Sequence, residues 1–173
     1  RKPQGQAAGA RGTGRRDIGR KAAHFAAGER YGAAEGGKEM VSIYRQKRMP
    51  REEVLSETEK INGYLEKCAW MDFDYGNIGE EKIVLYGCPD QSWRENCLEI
   101  IFEFPQFISS RLNWSMGEAK PFIRLISQET LSEYTDLLSE EGCYIFMLQD
   151  DSPKGAATFI SAAGIRCNIL KPL

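Results

Sequence analysis

Residues 98–104 read Leu98-Glu99-Ile100-Ile101-Phe102-Glu103-Phe104. Leu98, Ile100, Phe102 and Phe104 fall on one side of an extended chain, and Glu99 and Glu103 on the other. This period-two alternation marks a strand with one buried and one wet face. Such a strand suits an antiparallel sheet, because parallel sheets bury both faces. Pro105 lacks an amide donor, so the strand is expected to end there.

The runs on either side extend the pattern. Residues 82–88 (KIVLYGC) carry apolar side chains on both faces and read as a central strand. Pro89-Asp90-Gln91-Ser92 supplies turn chemistry before Trp93. Residues 107–114 alternate again, with Ile108, Leu112 and Trp114 on one side. Residues 121–127 form a further strand, which Pro121 is allowed to open. Residues 143–149 (CYIFMLQ) are strongly apolar. Asp150 to Gly155 reads as a hairpin loop. Two strands follow, about 157–162 and 165–170, joined through Ala163-Gly164.

Helix is expected at 50–69. Pro50 suits a first helical position, Glu52 and Glu53 suit the positive end of the helix dipole, and Val54, Ile61, Leu65 and Cys68 make one apolar stripe. A second short helix is expected over 128–141, with Leu131, Tyr134 and Leu138 on one face and Gly142 at its end. Residues 41–49 read as a short edge strand or a basic approach. Residues 70–81 read as an acidic, aromatic loop. The fold class is therefore α+β: a mainly antiparallel sheet of about six to seven strands, with an N-terminal helix packed on one face and a second short helix.

The charge is unevenly spread. Residues 1–39 hold nine Lys or Arg and four Asp or Glu, a net of +5, whereas residues 40–173 hold 14 basic and 21 acidic side chains, a net of −7. The first block is rich in Gly, Ala and Arg, with too little apolar surface to offset chain entropy, and is expected to be disordered. Glu35-Gly36-Gly37 can be encoded by GAAGGAGGN, a purine-rich ribosome-binding sequence suitably placed before the Met40 codon. The expectation is that residues 1–39 are translated upstream sequence and that 40–173 form a single domain. The rivals are a basic tail that binds nucleic acid and an Arg-rich transit peptide.

Composition removes several chemistries. The only histidine is His24, so residues 40–173 cannot support a Ser-His-Asp or Cys-His mechanism, or a zinc site containing His. Cys68, Cys88, Cys97, Cys143 and Cys167 are scattered without a CxxC spacing, which reads as reduced, buried thiols. The Asp72, Asp74, Asn77 cluster fails the spacing of a calcium loop. The Gly-rich stretches lack the strand-then-helix setting of a phosphate loop. Glu99 and Glu103 lie roughly 13 Å apart along the strand, long for cooperating catalytic carboxyls. No cofactor, metal site or membrane span is expected, and nucleic acid is a minor alternative.

What remains is a surface. Trp93 and Trp114 sit near strand ends, and aromatic anchors of that kind dominate interfaces. Asp72, Asp74, Asp90, Glu99 and Glu103 supply negative charge that favours a basic protein partner. These seven residues are the candidate partner-binding set. Three function classes stay open: a protein-binding module, a small-ligand carrier with a pocket between helix and sheet, and an enzyme that works without His.

Residues 82–126 carry a resemblance. A strand ending in Gly87-Cys88-Pro89-Asp90, then Leu98-Glu99-Ile100-Ile101-Phe102, then a strand ending in Trp114 resembles small bacterial immunity proteins of polymorphic toxin systems. The resemblance implies a cytoplasmic, non-catalytic, acidic α+β protein that blocks a basic toxin by binding it. It implies no catalytic residue.

Overall fold

The structure, a computed structural model, describes residues 25–26, 43–89, 95–110, 113–116, 120–149 and 157–172. The described elements are β1 (Phe25–Ala26), α1 (Ile43–Lys47), α2 (Arg51–Leu65), β2 (Asp72–Ile78), β3 (Lys82–Cys88), β4 (Leu98–Ser109), β5 (Asn113–Ser115), β6 (Ile123–Ile126), α3 (Gln128–Ser132), β7 (Tyr144–Gln149) and β8 (Ala157–Ile169). The fold is mixed α+β around an antiparallel sheet in the order β5-β2-β3-β4-β8-β7-β6, with β1 added on β4.

β4 and β8 are the two long strands, and they pair from Leu98↔Ile169 to Ser109↔Phe159. Each is longer than its other neighbour. β3 pairs only with the Leu98–Glu103 part of β4. β7 pairs only with the Ala157–Ala162 part of β8. The sheet therefore has two halves that share the β4–β8 ladder, and each half leaves one long strand with an outer edge to close.

The alternation read at 98–104 holds from Leu98 to Glu103, but Phe104, expected on the buried side, is half-buried with φ 47° where the bulge begins. Leu98, Ile100 and Phe102 are fully buried, in one cluster with Ile83 and Leu85 of β3, Ile165 and Cys167 of β8, and Val54, Ile61, Tyr64 and Leu65 of α2. Phe102 and Phe146 meet edge to face at 5.3 Å. α2 also closes the outer edge of β8 beyond β7. The Cys167 amide donates to Glu57 Oε2 at 2.7 Å, Lys60 Nζ donates to the Cys167 carbonyl at 2.5 Å, and the Met49 amide donates to the Ala163 carbonyl at 3.0 Å. Asn62 does the same for β6: its Nδ2 donates to the Ile123 carbonyl at 2.8 Å, and its Oδ1 accepts from the Ile123 amide at 3.0 Å.

The opposite face of the β7–β8 half has its own cover. Leu131 of α3 packs with Phe107, Ile145, Met147 and Phe159 in a second cluster. Ser127 caps α3, its Oγ accepting from the Thr130 amide at 3.2 Å, as a Ser N-cap does.

Several expectations are corrected. β4 does not end at Pro105. A bulge between Pro105 and Phe107, with Phe104 at φ 47°, carries it on to Ser109. Proline is tolerated there because bulges release the strand from regular pairing. The expected strand over 107–114 is thus the tail of β4 followed by β5. Ala163-Gly164 is not a turn: β8 runs straight through it as one strand of 13 residues. A Cβ on Gly164 would stand 2.9 Å from Met49 Cβ, so this glycine allows the segment before α2 to come close. Residues 72–78 form β2 instead of a loop. Residues 43–47 form α1 rather than an edge strand. The second helix stops at Ser132, because the Gln128 side chain binds the Leu137 carbonyl and the Ser139 amide and holds that following segment against the sheet. Tyr134 and Leu138, expected on the helix face with Leu131, are exposed.

Candidate partner-binding face

The outer face of the β2–β3–β4–β8 half lies opposite the face that carries the α2 cluster. The register fixes its rows. Asp74 pairs with Tyr86, Tyr86 with Glu99, and Glu99 with Asn168, so one line of polar side chains crosses four strands. With neighbouring strands about 4.8 Å apart, Asp74 and Glu99 stand roughly 10 Å apart across the sheet. The next row holds Val84, Ile101 and Arg166, and a further row holds Lys82 and Glu103. A small apolar centre at Val84 and Ile101 is thereby flanked by charge on both sides.

Each carboxylate has a different local fate. Glu103 Oε1 accepts from Arg166 Nε at 2.7 Å, so its charge is countered within the fold. Glu99 Oε2 accepts from the neutral Asn168 Nδ2 at 2.6 Å and keeps its charge. Desolvation and then the hydrogen bond to Glu99 push the Tyr86 phenol above its ordinary pKa, so it stays a donor at neutral pH. Asp72 Oδ1 accepts from Trp70 Nε1 at 2.9 Å and from Ser115 Oγ at 2.6 Å. That carboxylate orients Trp70, whose surface is 49% exposed. Asp74 is exposed on the strand next to β3.

The structure therefore brings Asp72, Asp74, Glu99 and Glu103 of the expected set onto one face. Asp90 and Trp93 lie outside the described residues. Trp114 occupies the β5 position paired with Phe73, out of register with the acidic row. Sequence reading missed Tyr86, Arg166 and Asn168. Their part depends on cross-strand register, and only the wet-side alternation of β3 and β8 could have signalled it. Trp70 was visible as an aromatic, and its link to Asp72 is an i, i+2 contact along an extended chain.

Of the five thiols expected to be buried, Cys88 and Cys167 are buried, whereas Cys68, Cys97 and Cys143 are half-buried. Burial pushes Cys143 and Cys167 up to about 11. Among the described residues, no group of three or more His, Cys, Asp or Glu side chains is placed to hold a metal ion. Among the described residues, no helix is long and apolar enough to cross a membrane.

In comparisons with family models, curated proteins and solved structures, the chain matched none.

Proposed function

We propose that the chain is a non-catalytic, cytoplasmic protein-binding module, and that it acts as an immunity protein by laying its open sheet face over a basic toxin domain. The observation that carries this reading is the uneven cover of the sheet. α3 and the segment after it cover the outer face of the β7–β8 half, whereas the Asp74–Tyr86–Glu99–Asn168 row is left exposed or half-exposed. Asp72, Asp74 and Glu99 keep charge that no basic side chain of the fold neutralises in the contacts described, and Trp70 stands beside them. Such a patch steers a basic partner into contact and disfavours acidic competitors.

The mechanism is occlusion. Half-buried Ile101 gives a dry centre, the Tyr86 phenol oxygen accepts a hydrogen bond while its own proton is donated to Glu99, and the carboxylates pair with partner Lys or Arg at the rim. The ligand-carrier alternative needs a pocket of roughly 300 Å³ or more. Two cavities lined by described residues, of about 90 and 10 Å³, are smaller than that.

The test is joint charge reversal, Asp74→Lys with Glu99→Lys. Association is followed at low salt with the basic C-terminal domain of a secreted protein encoded beside this gene. The expected result is an on-rate lowered by about tenfold or more, with folding retained. An unchanged on-rate refutes the reading.

A further inference from the structure

We propose that the outer edge of β4 from Pro105 to Ser109 is a strand-accepting site, which takes an extended partner segment with an apolar centre and basic flanks. The two half-edges of the sheet are closed differently. Beyond β7, the edge of β8 is met by α2, whose Glu57 and Lys60 satisfy the amide and carbonyl of Cys167. Beyond β3, the edge of β4 is met, among the described residues, by a strand. β1 pairs antiparallel with it, Phe25 opposite Ile108 and Ala26 opposite Phe107.

That pairing shows the direction and register in which an added strand fits. β1 is two residues long, so it makes at most a couple of backbone hydrogen bonds, each worth about 1 kcal/mol net. A longer strand that engages more of 105–109 outcompetes it. We read the Phe25–Ala26 pairing as a mimic of how a partner segment docks on this edge. Exposed strand edges invite pairing of this kind, and main-chain bonds there combine with side-chain pockets for specificity.

A pocket lies beside the edge. A cavity of about 90 Å³ is lined by Ile78, Ile83, Pro105, Phe107 and Ile108, with Glu80 at its rim. Alternate residues of an added strand point to one side, so one apolar side chain reaches this cavity. The charge fits as well. Glu80 and Glu81 are exposed beside it, while Phe25–Ala26 is flanked in the sequence by Arg20, Lys21 and Arg30. The inference rests on the protein-binding reading only for its biological partner, since the edge and its pocket stand apart from the acidic row.

The experiment is amide hydrogen exchange by mass spectrometry on the full chain. Ala26→Pro removes a donor from β1 and disfavours its pairing. A synthetic peptide of residues 20–30 is then added in excess to this variant. The expected result is about tenfold slower exchange within 105–109 on adding the peptide, with 98–103 unchanged as the internal reference for folding. A second variant, Ile78→Arg, fills the pocket from a position already 46% exposed, and is expected to weaken peptide binding by about tenfold. Absence of protection by the peptide overturns the proposal, and so does equal protection by a scrambled peptide of the same composition. If charge reversal at Asp74 and Glu99 leaves association unchanged while the peptide still protects 105–109, the acidic-face reading falls and the strand site stands.

Discussion

Asn62 ties α2 to the sheet through a single side chain, and its removal has a calculable cost. Its amide supplies both a donor and an acceptor to one residue, Ile123, at 2.8 and 3.0 Å. Ile123 is fully buried, whereas Asn62 itself is half-buried. Asn62→Ala removes two hydrogen bonds of about 1 kcal/mol each and strands the Ile123 amide and carbonyl, a further penalty of about 1–3 kcal/mol for a buried group without a partner. Because Asn62 is half-buried, water reaches the vacated space from one side and satisfies part of that demand. The net loss is about 3 kcal/mol, which for a chain of this size lowers Tm by roughly 10 °C. Urea unfolding gives the number directly, as a lower midpoint with an unchanged slope. Glu59→Ala, on the exposed side of the same helix, is the control and should change stability by less than about 0.5 kcal/mol. Asn62→Asp sharpens the test. Its carboxylate still accepts from the Ile123 amide but faces the Ile123 carbonyl with no proton to donate. Its folded-state pKa is then raised, so its deficit relative to wild type shrinks as pH falls towards about 4, where the acid regains a donor. A loss under about 0.5 kcal/mol for Asn62→Ala, or an Asp deficit that ignores pH, refutes the argument that side-chain mimicry of a strand closes this edge.

Gly142 has φ +100°, and a Cβ there would stand 2.3 Å from the Arg45 amide nitrogen. Gly142→Ala should therefore destabilise by about 2–4 kcal/mol through backbone strain and displacement of α1, read as a lower Tm. Alkaline pH should weaken the fold: Cys143 and Cys167 are pushed from 9.0 up to about 11 by burial, so the unfolded chain loses these protons first and stability falls between pH 9 and 11. Tyr64, pushed from 10.0 up to about 12 chiefly by burial, extends the decline above pH 10. Urea midpoints that rise across this range would contradict the assignment. The same thiols should resist iodoacetamide at pH 8 in the folded chain and react after unfolding in urea.

Where side-chain period alone decides an element, the sequence was sufficient. Lys82–Cys88 is β3, and the Leu98–Phe102 alternation places Leu98, Ile100 and Phe102 in the core. The misreadings arise where a local signal was overridden by pairing. Pro105 is a strand breaker in isolation, but β8 holds the chain extended past it and the bulge absorbs the irregularity. Ala163-Gly164 has turn composition, yet its neighbours are held in one ladder opposite β4, and the small residues serve the approach of Met49. Residues 72–75 alternate Asp-Phe-Asp-Tyr, a strand pattern that the dense acidic charge concealed. Residues 128–141 have helical spacing, but the Gln128 side chain diverts the chain after Ser132.

The same distinction applies to the candidate face. Asp74 and Glu99 are far apart in the chain, and nothing in either local stretch says that Tyr86 lies between them. Register converts wet-side residues from separate strands into one row, and register is fixed by how β3 and β8 lie on β4. The row also separates carboxylates that composition treats alike. Glu103 is held by Arg166, so reversing it breaks an ion pair within the fold as well as altering the surface. Glu99 is held by the Asn168 amide and the Tyr86 phenol, both neutral, so its reversal breaks no ion pair and acts mainly on an incoming charge. Glu99→Lys should therefore slow association with a basic partner more, per unit of lost stability, than Glu103→Lys. Measuring the on-rate and the urea midpoint of both variants separates the two effects. Equal ratios of on-rate loss to stability loss would mean that the Arg166 contact does not set Glu103 apart, and that the row acts only through its summed charge.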